Sequence, residues 1–153
     1  MKILKNNRRG AALVEFTVVL LLLITLVFGI IEMGLLIKDY LTLSHAAREG
    51  ARSAAIGSPV QTIKDRIMDK AAALEGGITD DQIDLKKRSD PGVAWGDLGD
   101  SITTPDQNDA ATGDEIRVKI IYPHQFVAVG VLPFLGDADG LMNIAGEMIM
   151  SRE

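Results

Sequence analysis

The sequence predicts an α+β fold: a long N-terminal transmembrane and stalk helix, a second amphipathic helix and a small three-stranded antiparallel sheet. Three observations predict it. Residues 11–37 are an apolar run of 27 residues broken only by Glu15 and Glu32. Apolar residues recur at three- and four-residue spacing from Val60 to Leu74, the helical period. Two later stretches, Glu115–Tyr122 and Met142–Met150, alternate apolar and polar residues as half-buried strands do.

The first helix comes first in the chain and carries the most information. Lys2, Lys5, Arg8 and Arg9 precede it with no acidic residue among the first fourteen. A secretory signal has an apolar stretch of roughly 7–15 residues, whereas Ala11–Ile37 at about 1.5 Å per residue spans about 40 Å, more than a hydrocarbon core of about 30 Å. The reading is therefore a membrane-spanning helix over residues 11–37. Only Lys38, Arg48 and Arg52 are basic in the fifteen residues after the run. That slight bias predicts a cytoplasmic N-terminus with the bulk of the chain outside.

Glu15 is the anomaly, because a carboxylate within a span costs about 2.5–3.5 kcal/mol near mid-bilayer, judged from the related Asp. Two readings stand. In one, Glu15 lies at headgroup level. In the other, the chain is cut after Gly10, and the new amine of Ala11 stands one helical turn from Glu15 on the same face. The two charges then compensate each other, within one subunit or between neighbours. Glu32 is placed at the outer membrane interface, with a contact to a partner as the alternative.

The helical pattern continues through residues 38–56, and Gly57-Ser58-Pro59 stops it. Leu43, Ala47, Gly50 or Ala51, and Ala54 share one face of this continuation. Small residues permit close backbone approach, either to the protein's own sheet or to another subunit. Glu49 and Arg48 point apart as sequence neighbours.

Residues 57–153 form a small α+β domain. Ser58-Pro59 offers an N-cap and first-turn proline to the second helix, and Gly76-Gly77 ends it. Ile83–Lys86 is a first strand. Ile116, Val118, Ile120 and Tyr122 line one face of the second, which Pro123 ends. Gly146 in the apolar row of the last strand suggests a bulge. Residues 89–114 form a loop with Trp95, read either as a solvated acidic loop with Trp95 tucked on the sheet or as a recognition loop. The apolar segment Phe126–Leu135 is expected to cover the sheet, with docking to a partner or to the membrane as alternatives.

Basic residues, then Arg9-Gly10-Ala11-Ala12-Leu13-Val14-Glu15-Phe16 and a long apolar helix, resemble the class III signal of type IV pilins and pseudopilins. With Gly29-Ile30-Ile31-Glu32-Met33-Gly34 and Ala46-Ala47-Arg48-Glu49-Gly50-Ala51-Arg52, the sequence resembles the TadE-like family, minor pseudopilins of the Tad (Flp, type IVc) pilus. The closing Met150-Ser151-Arg152-Glu153 is similar to the family's usual end. The resemblance implies a pilin-like fold and a basic leader, residues 1–10, removed by prepilin peptidase between Gly10 and Ala11. It implies a processing or assembly role for Glu15 with Phe16 beside it, and a helix-end motif of Ala47, Arg48, Glu49, Gly50, Ala51 and Arg52. Many type IV pilins place Phe at the new N-terminus, where the amine is methylated; this sequence has Ala11 there. Implied partners are the prepilin peptidase, other minor pseudopilins, the major Flp-type pilin and the inner-membrane assembly platform. Implied localisation is the bacterial inner membrane, single-pass, or the pilus itself.

Composition narrows the alternatives. The net charge is −5, and without the four N-terminal cations the rest sits at −9, which argues against nucleic acid. There is no cysteine, so disulfides and thiol chemistry are excluded. His45 and His124 have no partner in a recognisable pattern. Aligning Asp139-Gly140 to a calcium loop leaves Leu135 and Gly146 at two essential ligand positions. No phosphate loop or nucleophile–base motif is present. The expectation is a structural protein without cofactor or catalysis, acting in pilus biogenesis, adherence or secretion. The alternative is an uncleaved, membrane-anchored binding or sensory module.

Overall fold

A computed structural model describes residues 8–104, 106–127 and 139–153, with Arg8 and Arg9 by backbone alone. Helix α1 runs Arg8–Ala55 without interruption, 48 residues, or about 72 Å. Helix α2 follows at Val60–Lys70. A single 3₁₀ turn, Asp80–Gln82, leads into strand β1, Ile83–Arg88. Strands β2 (Gly96–Asp97), β3 (Glu115–Gln125) and β4 (Leu141–Ser151) complete an antiparallel sheet in the order β2-β1-β3-β4.

The expected α+β architecture is present, with four strands among the described residues instead of three. The additional strand is the two-residue β2 inside the acidic loop, too short to leave an alternating pattern. Strand β3 runs past Pro123 to Gln125. Beyond Ile120 it pairs only with β4, so a missing N–H on the β1 side breaks no ladder. The β3–β4 register is continuous from Glu115↔Ser151 to Gln125↔Leu141, without the bulge expected at Gly146. Gly146 answers a different need: a Cβ there would lie 2.7 Å from the carbonyl carbon and oxygen of Leu43. Only glycine lets α1 lie this close to β4.

The core lies between the outer half of α1, α2 and one sheet face. Leu43, Ala46, Ala47, Ala51 and Ala54 of α1 are fully buried with Ile63, Ile67, Ile116, Val118 and Ile120. Ile116, Val118, Ile120 and Tyr122 do share the inner face. The small-residue face of α1 thus packs against the protein's own sheet and second helix. At Gly50 a Cβ would meet Ile67 Cδ1 and Cγ1 at 2.5 Å.

The α2 start differs from expectation. Pro59 is the N-cap and no local side chain caps the helix. Asp100, forty residues away, accepts the Val60 N–H at 2.7 Å. The helical turn ends at Lys70, and Ala71–Leu74 continue as turns towards Gly76 and Gly77, both at positive φ.

Candidate functional site: the exposed helix and its seat on the sheet

The inner half of α1 stands clear of the domain. The large apolar side chains from Leu13 to Ile31, including Phe16 at 62% and Leu22 at 68% exposure, are left uncovered by the described residues. Water does not tolerate such a surface over this length; lipid or other helices do. The Thr17 and Thr25 hydroxyls donate to the carbonyls of Leu13 and Leu21, four residues back, at 2.8 and 2.9 Å. Hydroxyls on an apolar helix are thereby satisfied within the helix itself. Among the described residues this is the one helix long and apolar enough to cross a membrane.

Gly10, Ala11, Glu15 and Phe16 all lie in the first turns of α1 and are exposed. A Cβ at Gly10 would meet nothing within 4 Å. Glu15 has no hydrogen-bond or ion-pair partner among the described residues. It sits four residues, one turn, after Ala11.

Where the domain begins, Glu32 is 2% exposed and Asp39 7%. Both face the end of β3. His124 Nδ1 and Asp39 Oδ2 are 2.8 Å apart, and His124 Nε2 lies 3.9 Å from Glu32 Oε1. The Val127 N–H donates to Glu32 Oε1 at 2.9 Å. Lys38 reaches Asp39 at 3.4 Å and the Ala73 carbonyl at 3.3 Å. Phe126 meets His124 edge to face, centroids 5.2 Å apart. Glu32 therefore clasps its own sheet and is not at an open interface, and His124 has partners after all. Sequence reasoning missed this because Glu32 and His124 are ninety-two positions apart. A seven-residue spacing of two acids, Glu32 and Asp39, on one helical face was the available signal.

Tyr122 donates its hydroxyl to the Glu75 carbonyl at 2.7 Å. Burial pushes its phenol up, and the Asp39 and Glu75 carboxylates add to the rise.

The helix-end motif divides by face. Ala47, Gly50 and Ala51 are buried against α2 and the sheet, whereas Arg48 and Arg52 are exposed. Glu49 pairs with Arg66 of α2 at 3.9 Å. Past the motif, Arg152 closes the end of α1: its Nη1 donates to the Ala55 carbonyl at 2.9 Å, and its guanidinium lies against Gly57 at φ +89°. A cation and donor at a helix C-terminus satisfies a carbonyl and complements the dipole.

Trp95 lies against two guanidinium groups of the outer sheet face, Arg88 at 4.4 Å and Arg117 at 4.7 Å from its ring centroid. Arg88 also grips Glu115 at 2.6 Å. The acidic loop is ordered by its own acids. Asp109 receives the Gly99 N–H at 2.8 Å and pairs with Lys87 at 2.8 Å. Burial pushes the Asp109 carboxyl up, but the Lys87 ammonium and the Gly99 N–H outweigh it and hold the group below the ordinary carboxylate value. Among the described residues no three His, Asp or Glu side chains gather to hold a metal. Most of Phe126–Leu135 lies outside the described residues; of it, Phe126 is buried and Val127 is 71% exposed.

A family model described as TadE-like protein matches residues 10–52. No curated protein and no solved structure matches the chain. The match spans Gly10, Ala11, Glu15, Phe16, Glu32 and the whole Ala47–Arg52 run, so over residues 10–52 this chain carries a TadE-like segment.

Proposed function

We propose that the protein is a minor pseudopilin of a Tad-type pilus, a structural and assembly protein and not an enzyme. Residues 1–10 are its leader, cut after Gly10 by a prepilin peptidase. Residues 11–37 anchor it in the bacterial inner membrane with the N-terminus cytoplasmic. Residues 38–56 carry the small domain, 57–153, outside. Its partners in this reading are the prepilin peptidase, other minor pseudopilins, the major Flp-type pilin and the inner-membrane assembly platform.

One observation carries the reading: an apolar helix begins with an exposed Glu15, without a partner among the described residues, one turn after Ala11 and inside the TadE-like segment. Cleavage at Gly10 creates a positive amine there. In lipid, two unpaired charges are expensive and a pair far less so. An amine and a carboxylate on a helix with no other deep charge give neighbouring helices a reason to align in register. The domain's clasp on Glu32 and Asp39 leaves the helix below free to pack, while Arg152 and the small-residue face fix the helix above.

Glu15→Ala is expected to leave membrane insertion intact and to reduce piliation at least tenfold, scored by filament counts and by sheared-pilus yield. Glu15→Gln, which keeps shape without charge, is expected to behave like the alanine variant. Normal piliation in both would count against the charge pairing.

A further inference from the structure

Two exposed surfaces of the domain have complementary chemistry and nearly the same height along α1. On the helix, Arg48 and Arg52 lie four residues apart and exposed, with no partner among the described residues, and Ile56 continues the face at 53% exposure. On the acidic loop, Ile102 is 100% exposed, flanked by exposed Asp97 and Asp106 that have no side-chain partner among the described residues. A fully exposed isoleucine here is not the tip of a loose coil. The loop is closed by the Asp100↔Asn108 bridge and tied by Ser101 N–H to the Gln107 carbonyl at 2.8 Å. Its base is bolted to the end of α1, where Asn108 Nδ2 donates to the carbonyls of Ala54 at 2.9 Å and Ser58 at 3.0 Å.

We propose that this loop docks on the Arg48–Arg52–Ile56 face of a second copy of the same chain. Ile102 covers Ile56, and Asp106 and Asp97 meet Arg52 and Arg48. The inference rests on the reading of α1 as a membrane anchor. Two copies inserted to the same depth stand parallel, and the loop is fastened through Asn108 to the Ala54 carbonyl, two residues after Arg52 and about 3 Å along the axis. The loop of one copy is therefore presented at the level of the basic face of the next. Within one chain the two patches do not pair: among the described residues no ion pair joins Arg48 or Arg52, both exposed, to the loop. The contact is head-to-tail: each copy offers a basic face and an acidic loop, so addition does not end at a dimer.

The absence of cysteine makes the test direct. Two differently tagged full-length copies are co-expressed in cells with working prepilin processing, one carrying Arg52→Cys and the other Asp106→Cys, and membranes are oxidised. A mixed disulfide dimer is expected, as it is for Ile56→Cys with Ile102→Cys. Arg52→Cys with Glu147→Cys, on the outer sheet face, is expected to give none. Arg52→Glu or Asp106→Lys should lower the Ile56–Ile102 yield about fivefold, the upper range for an exposed ion pair, and the double reversal should restore it. High salt should weaken the contact. A chain processed at Gly10 that never forms the mixed dimer, or that links Arg52→Cys to Arg52→Cys instead, overturns this interface and leaves the pilus reading standing. A mixed dimer formed by unprocessed chains supports the interface and overturns the processing claim.

Discussion

Two glycines decide how closely the layers of this protein approach. Gly146 admits the α1 backbone at Leu43, and Gly50 admits the Ile67 side chain. They differ in what must give way. An Ala at 146 collides with backbone, so a whole helix must shift, whereas an Ala at 50 collides with the Cγ1 and Cδ1 of Ile67, a buried side chain that can yield by a local adjustment of α2. Gly146→Ala is expected to destabilise the domain by about 2–3 kcal/mol and Gly50→Ala by about 1 kcal/mol, as overpacking does. Thermal or urea unfolding of the detergent-solubilised protein reads both. The sequence pattern placed Gly50 on the packing face, because a helix's small-residue stripe is local information. It misread Gly146 as a bulge, because the reason for that glycine sits 103 positions away on another element. Asp109 gives the pH-dependent counterpart. Its carboxyl is held below the ordinary value, so its stabilising contribution is full above that value and is lost as pH falls through the lowered one. Asp109→Asn is expected to cost about 0.5–1 kcal/mol at neutral pH, discounted for partial exposure. The difference from the parent should vanish in acid, as paired melts across the acid range would show.

At the scale of elements, both ends of the outer α1 segment and the start of α2 are fixed by residues distant in sequence. Asp100 replaces the local cap that Ser58 seemed to offer, and Asp100→Ala is expected to cost about 1 kcal/mol, as N-cap losses do. Arg152 closes α1 at Ala55, which gives the terminal Arg-Glu pair a structural job. Glu32 and Asp39 clamp the end of β3 through His124 and Val127. Glu32→Ala would leave the partly buried Val127 N–H without its acceptor and is expected to cost about 1 kcal/mol. Measured by hydrogen exchange, the loss should appear first at the end of β3 and in the adjoining part of α1. Helices and the two long strands were legible because each carries its own period. The caps, the clamp and β2 were not, because each is made by a pairing between segments and leaves no periodic trace.

For the whole molecule, the architecture separates two tasks along one helix. The outer half of α1 is spent on the fold: its small residues, Gly50 and Leu43 are buried under α2 and the sheet. The inner half contributes nothing to the domain's core and keeps its apolar surface for lipid or for other helices. The charged residues follow the same division. Glu32 and Asp39 are held by the domain, whereas Glu15 is exposed without a partner among the described residues; in the proposed reading its partner is the amine that cleavage after Gly10 creates. That claim is tested most directly by intact and N-terminal mass analysis of the protein taken from cells with a working prepilin peptidase. The account predicts a chain beginning at Ala11, and its loss when Gly10 is replaced by a bulky residue; chains that begin only at residue 1 would contradict it.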